Sequence, residues 1–171
     1  MSRVAVVRTY LELTDPAACR AVASADGRAR VERVLECPAS FFRYLYAEVG
    51  RAYHWRDRLP WTDEQIRSRV ADPAVSLYLL NVAGAPAGYF ELQRHADGSV
   101  EIAYFGLLPE FIGRGLGRYL LGEAVAQARS LGAARVWLHT CTLDDKAALP
   151  NYLARGFRPF RTETYEADLP D

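Results

Sequence analysis

The segment Leu107-Leu108-Pro109-Glu110-Phe111-Ile112-Gly113-Arg114-Gly115-Leu116-Gly117-Arg118 is the first place where residue types and spacing suggest chemistry. It sets a glycine-dense turn between an apolar, strand-like run and a helix-like run. Such a turn aims backbone N–H groups outward at the positive end of a helix dipole, which makes a cradle for a diphosphate. The spacing Gly113-x-Gly115-x-Gly117 departs from the G-x-G-x-x-G of a dinucleotide fold. The continuation Gly117-Arg118-Tyr119 departs from the Gly-Lys-Ser/Thr ending of a triphosphate loop. Another diphosphate-bearing molecule and a ligand-free corner both remain open.

Other candidates lie on either side. Tyr53-His54-Trp55-Arg56-Asp57-Arg58-Leu59-Pro60-Trp61 is dense in rings and guanidinium groups. Trp55 and Trp61 could wall a cation through their π faces, and Arg56 or Arg58 could bind a carboxylate. Alternatively the rings plug the core, with Asp57 pairing an arginine. Glu101 opens a strand-like run, and strand alternation would put Glu101, Ala103 and Phe105 on one face and Ile102 and Tyr104 on the other. A carboxylate among such apolar neighbours is suited to proton transfer. Glu91 and His139 are further candidate bases. The three cysteines and three histidines are scattered, so no spacing suggests a metal site or a disulfide framework.

Elements able to hold these residues follow from the pattern. Val4 to Leu13 reads as a strand, and Asp15 to Arg30 as either a helix or a loose insertion. Pro38 to Val49 carries a helical apolar stripe that Gly50 can end. Thr62-Asp63-Glu64-Gln65 has capping-box spacing and starts a helix through Ala71. Val75–Val82, Ala87–Arg94 and Val100–Leu108 are joined by Gly84-Ala85-Pro86 and Asp97-Gly98, which makes an antiparallel meander. A helix from about Gly115 to Leu131 buries Leu116, Leu120, Ala124, Ala128 and Leu131. A strand over Arg135–Cys141, a helix over Asp145–Arg155 closed by Gly156, and a strand over Phe157–Tyr165 complete the order. The sum is an α/β (α+β) chain, with a mixed, mostly antiparallel sheet flanked by helices on both faces. Residues 1–171 are expected to form one domain, since no repeat or long linker divides them.

The glycine segment resembles the acetyl-CoA motif of the GNAT superfamily of N-acetyltransferases, usually written Gln/Arg-x-x-Gly-x-Gly/Ala. Ile112 stands at its Gln/Arg position. A second run, Asp145-x-x-Ala148-x-x-x-Tyr152-x-x-x-Gly156-Phe157, resembles that family's Asn-x-x-Ala-x-x-x-Tyr-x-x-x-Gly-Phe element. Here Asp145 replaces the usual Asn. The two motifs come in the family's order, with one helix and one strand between them.

The resemblance implies acetyl-CoA as co-substrate without a metal. It implies a sheet splayed between Val100–Leu108 and Arg135–Cys141, with backbone at Phe105, Leu107 and Leu108 gripping the pantetheine. It assigns the diphosphate to Gly113, Arg114, Gly115, Leu116, Gly117 and Arg118, and a polar contact to Asp145. Tyr152 matches the family's general acid toward the leaving sulfur, and Glu101 a carboxylate that acts as base directly or through water. The segment holding Trp55, Arg56 and Trp61 would shape the acceptor pocket. The last hairpin of the family would be shortened to one strand. The implied activity is acetyl transfer to a primary amine, of a small molecule or a peptide, by direct attack. The alternative is a catalytically silent CoA-binding sensor or interaction module.

Composition narrows the partners. Acidic and basic residues balance at 21 each, leaving no electrostatic footprint for nucleic acid or an anionic membrane. No apolar run approaches the roughly 20 residues needed to span a bilayer. Met1-Ser2-Arg3-Val4 lacks the apolar region of a signal peptide, and the sparse cysteines suit a reducing cytoplasm. A homodimer is possible, as in many members of the family.

Overall fold

The computed structural model of the chain describes residues 2–169. Seven strands and four α-helices run β1 (Ser2–Leu13), β2 (Ala29–Val34), α1 (Ala39–Gly50), α2 (Asp63–Ala71), β3 (Val75–Val82), β4 (Ala85–Arg94), β5 (Ser99–Leu107), α3 (Leu116–Ser130), β6 (Arg135–Cys141), α4 (Ala148–Ala154) and β7 (Arg158–Leu169). The strands form one sheet in the order β2-β3-β4-β5-β6-β1-β7. Every neighbouring pair is antiparallel except β5–β6, which is parallel. The fold is therefore the mixed, mostly antiparallel α/β arrangement expected from the pattern.

Helices cover both faces. On one face α3 buries Leu116, Leu120, Leu121, Ala124, Val125 and Ala128 against Phe90, Leu92, Val100 and Ile102, with Tyr152 and Phe157 in the same core. Fully burying each large side chain contributes roughly 1.5–3 kcal/mol. On the other face Phe42, Leu45 and Val49 of α1 and Ile66 of α2 pack on Leu77, Tyr89 and Leu108. The capping box closes the start of α2: the Gln65 N–H donates to Thr62 Oγ1 at 3.2 Å, and the Thr62 N–H donates to Gln65 Oε1 at 2.8 Å.

Three features depart from the sequence pattern. Asp15–Arg30 takes the loose-insertion alternative, with a 3₁₀ turn at Pro16–Ala18, and the departure is the edge strand β2 into which it leads. The helix expected from Asp145 begins at Ala148, because Asp145 forms a turn in which its Oδ1 accepts the Ala147 N–H at 2.8 Å. Gly50 does not cap α1 by a left-handed turn. A Cβ there would lie 2.4 Å from Trp55 Cβ, so its bare backbone is what lets the Trp55 ring pack down.

Among the described residues β7 is the one strand after α4, and β1 supplies its neighbour. β1 lies between β6 and β7, pairing with β6 over Arg8–Leu13 and with β7 over Ser2–Glu12. This placement carries side chains of β1 to the edge of the central cleft.

Candidate active site

The parallel β5–β6 pairing lasts only three rungs, ending at Glu101↔Trp137. Beyond it the strands diverge, and the facing backbone edges of Ile102–Leu107 and Leu138–Cys141 no longer meet each other. A cleft of about 1140 Å³ opens there. Backbone donors and acceptors along both edges are free for a ligand that lies between them.

At one end of the cleft, the glycine turn has left-handed backbone at Gly113 (φ 84°) and at Gly115 (φ 74°), the N-cap of α3. No side chain caps that helix. A residue with a Cβ pays about 1–2 kcal/mol for left-handed geometry, so glycine at 115 keeps the entry to α3 unstrained. The first N–H groups of α3 have neither an intrahelical nor a side-chain partner, and they face the place where an anion is best stabilised. Gly113, Gly115, Gly117 and Arg118 line the cleft, as do Phe105, Leu107 and Asp145. Three residues expected at the cofactor depart from this. The Leu116 and Leu108 side chains are buried in the two opposite cores, and the Arg114 guanidinium stacks over the Phe111 ring at 4.8 Å. Leu116 and Leu108 are left only their backbone to serve a ligand, while the exposed Arg114 guanidinium keeps its donors free among the described residues.

A β-bulge changes the reading of β5. Glu91 pairs with Tyr104 and Leu92 with Ile102, so Ala103 is the extra residue. The bulge reverses the alternation. Ile102 and Phe105 therefore share the α3 face, while Tyr104 lies on the α1 face; this corrects the face assignment expected from simple alternation. Glu101 falls on the Tyr104 side. Nor is it a carboxylate among apolar neighbours, because its Oε2 lies 2.9 Å from His95 Nε2.

Tyr152 on α4 reaches the cleft from the opposite, α3 side. Its ring packs edge-on to Phe105 and Phe157. Among the described residues its hydroxyl has no hydrogen-bond partner, although the residue is buried and lines the cleft. Burial, then the charge of Asp144, pushes this phenol well above its ordinary pKa of 10, so it stays protonated.

His139 projects from β6 two residues past the last parallel rung, on the side away from Leu138 and the α3 core. It lines the cleft beside the Tyr10 ring, with centroids 5.5 Å apart. Its ring is exposed on the cleft side, yet desolvation by the surrounding wall, then the Arg8 guanidinium, holds it below its usual 6.5, against the pull of Glu101, Asp144 and Asp57. It is therefore a neutral imidazole at pH 7. A proton donor and a proton acceptor thus stand on opposite sides of the opening between β5 and β6.

The aromatic box expected for a cation already holds one. The Arg58 guanidinium lies over Tyr104 at 4.1 Å and Trp61 at 4.8 Å. Its two nitrogens donate to Glu91 Oε1 and Oε2 at 2.7 and 2.9 Å, and Arg69 adds a third contact at 2.6 Å. Burial alone would raise the Glu91 carboxyl, but Arg58 and Arg69 hold it below 4.5. Glu91 is an ionised anchor with its oxygens taken, which removes it as a candidate base. Trp55 packs edge-on to Tyr89 and Tyr104. Trp55, Trp61 and Arg56 line the cleft, but both indoles are engaged by the chain's own groups, and only Arg56 is exposed. One contact crosses the cleft: the Tyr53 hydroxyl donates to Asp145 Oδ2 at 3.3 Å, and burial, then the charge of Asp145, raises that phenol to about 12.

Sequence reasoning missed Arg8, Asp144 and His95. Asp144 fixes the end of β6 by accepting from Thr140 Oγ1 at 2.6 Å and from the Cys141 N–H at 2.9 Å. Arg8 enters only because β1 is inserted next to β6, and no local signal in Val6-Val7-Arg8-Thr9 announces that. Among the described residues no group of three or more His, Cys, Asp or Glu could hold a metal, and no helix is long and apolar enough to cross a membrane.

Known proteins share this architecture. The chain is 31% identical over 96 residues to an uncharacterized N-acetyltransferase of Mycobacterium tuberculosis; the match covers 56% of this chain and only 61% of that relative. A GCN5-related N-acetyltransferase from Sphaerobacter thermophilus superposes with a TM-score of 0.72 at 18% identity, over 95% of this chain and 51% of that one. A second, from Kribbella flavida, gives a TM-score of 0.66 at 23% identity, over 96% and 58%. At these identities the two structures speak for the fold. The model of the acetyltransferase (GNAT) family matches residues 36–157, and the chain belongs to that family.

Proposed function

We propose that the protein transfers an acetyl group from acetyl-CoA to a primary amine by direct attack. One observation carries the reading: the β5–β6 opening runs directly into an uncapped helix N-terminus whose turn is left-handed at Gly113 and Gly115. The residues fit coenzyme A. The turn offers N–H donors and Arg118 to a diphosphate, and the free strand edges offer amide partners to a pantetheine. The cleft exceeds the roughly 300–1,000 Å³ of ordinary small-molecule pockets, leaving room for an acceptor.

Acetyl-CoA bound there supplies an activated thioester. The Ala103 bulge and the diverging edges present backbone N–H donors that can hold its carbonyl. His139 accepts the proton lost by the attacking amine, with Glu101 and its partner His95 beside it on the same face. Tyr152 holds a proton facing the cleft and gives it to the departing sulfur as the C–S bond breaks and the C–N bond forms.

Thiol release from acetyl-CoA, followed over a panel of amines, tests the reading. Amine-dependent release is expected. CoA binding without release under any amine would instead support the silent CoA-binding module. The rate should also fall in acid, at a pH lower than an ordinary imidazole would show, where His139 gains its proton, and His139→Gln should remove that limb together with most of the rate. An unchanged limb in that variant would return the base role to Glu101.

Arg118 gives a smaller effect. It is exposed at the first turn of α3 and lines the cleft. Arg118→Ala is expected to weaken CoA binding about fivefold by calorimetry, near 1 kcal/mol, as for a solvent-exposed charged contact.

A further inference from the structure

The charges around the acceptor half of the cleft are unequally committed. Arg58 and Arg69 both bind Glu91. Among the acids, Glu101 faces His95, Asp144 holds the end of β6, and Asp145 holds its own turn and Tyr53. Arg8 is different. Among the described residues its guanidinium donates no hydrogen bond within 3.5 Å and its Nε is buried without a partner; the Tyr10 and Tyr165 hydroxyls stabilise its charge from farther off. The nearest carboxylate, Glu163, is 3.8 Å from Nη1, beyond hydrogen-bond reach. That carboxylate is already engaged by the Tyr10 hydroxyl at 3.0 Å and by Arg161.

The guanidinium is nonetheless held in place. It lies over the Tyr165 ring at 4.9 Å and lines the cleft. It sits opposite Cys141 in the β1–β6 register, one rung of the same face away from the Tyr10↔His139 pair. Its charge is felt at the His139 imidazole. A planar fork of donors whose neighbouring carboxylate, Glu163, is distant and shared with Tyr10 and Arg161, backed by a ring and set beside a proton acceptor, matches a carboxylate.

We propose that Arg8 is the anion-recognition residue of the acceptor site, and that the acceptor is an amine that also carries a carboxylate, a free amino acid or a short acidic peptide. Of the two arginines that the sequence suggested for carboxylate binding, Arg58 is consumed by Glu91, while Arg56 lines the cleft as an exposed side chain; Arg8 is set apart from Arg56 by being held over the Tyr165 ring beside His139. The inference rests on the acetyl-transfer reading for the amine's fate, but the recognition itself is a binding property.

The test uses matched acceptor pairs: amino acids against their carboxamides, and dipeptides with a C-terminal acid against the amide. In thiol release the wild type should prefer the acids about tenfold in kcat/KM, and the preference should fall to about twofold or less in Arg8→Gln, through KM for the acids. Arg8→Lys, a point charge without the fork, should give an intermediate ratio. Amino acids and peptides as separate arms show which source of carboxylate fits. Direct calorimetric binding of the same pairs extends the test to a protein that does not turn over. A binding preference for acids that Arg8→Gln abolishes, with no thiol release, would sustain the anion site while defeating the acetyl-transfer reading. Equal binding of acid and amide by the wild type, or a preference that survives Arg8→Gln, would overturn the proposal.

Discussion

Tyr152→Phe is expected to lower kcat by about 10²–10³-fold, the range of a lost general acid, while CoA affinity changes little. The expectation comes from what the hydroxyl lacks. The ring is packed by Phe105 and Phe157 whether or not the oxygen is present. Among the described residues, no group of the protein donates to or accepts from that oxygen. Removing a hydroxyl that has no protein partner leaves no orphan behind, so the variant should fold with about wild-type stability. A loss confined to kcat then reports on chemistry. The high pKa of the phenol suits the role, because the apolar wall that raises it also disfavours a naked thiolate. Steady-state kinetics, CoA calorimetry and a urea denaturation curve on one preparation separate the cases. A Phe variant with wild-type kcat would remove Tyr152 from the acid role, and one that unfolds early would mean the hydroxyl serves the core.

Much of the frame around Tyr152 was legible because it is local. The capping box at Thr62–Gln65, the meander with its glycine turns and the apolar stripe of α3 each follow from residues close in sequence, and each formed. The two motifs were legible because the glycine turn and the Tyr152 helix are short pieces of backbone with particular requirements. The rest depended on partners far along the chain. β2 escaped notice because Arg30, Glu32 and Arg33 interrupt its apolar positions, and it forms by pairing with β3. The bulge at Ala103 inverted the faces of β5, and only the register with β4 reveals it. The insertion of β1 between β6 and β7 brought Arg8 and Tyr10 to His139. The aromatic loop was ambiguous in kind: rings and guanidinium groups make a ligand cage or a filled one, and Glu91, more than 30 residues away, decided for the filled one.

That filled cage carries the second large effect. Glu91→Ala is expected to destabilise the protein by about 3–5 kcal/mol, the cost of stranding buried charges when one partner of an ion pair is removed. Glu91 is fully buried, and the Arg58 side chain is 7% exposed. Without the carboxylate, Arg58 keeps its aromatic contacts to Tyr104, Trp61 and Phe42 but loses its neutralising charge, and Arg69 keeps only Gln93 at 3.0 Å. Glu91→Gln should recover part of the loss by keeping the shape and one acceptor. The pH dependence has a definite sign. The carboxyl's pKa is lower in the folded state than its usual 4.5. Its contribution is therefore fully present above 4.5 and is lost as pH falls through the lower, folded value. Urea denaturation at neutral pH and again below 4.5 should show the gap between wild type and Glu91→Gln narrowing with acid. A gap that stayed constant, or a loss under about 1 kcal/mol for Glu91→Ala, would mean water or a rearranged loop takes over the two guanidinium groups. The triad ties the Arg51–Pro60 loop and α2 to β4, so its loss should also loosen the wall formed by Trp55 and Trp61. Stability and acceptor KM should then deteriorate together, while the turn at Gly113–Gly117, built on the other side of the sheet opening, keeps its affinity for coenzyme A.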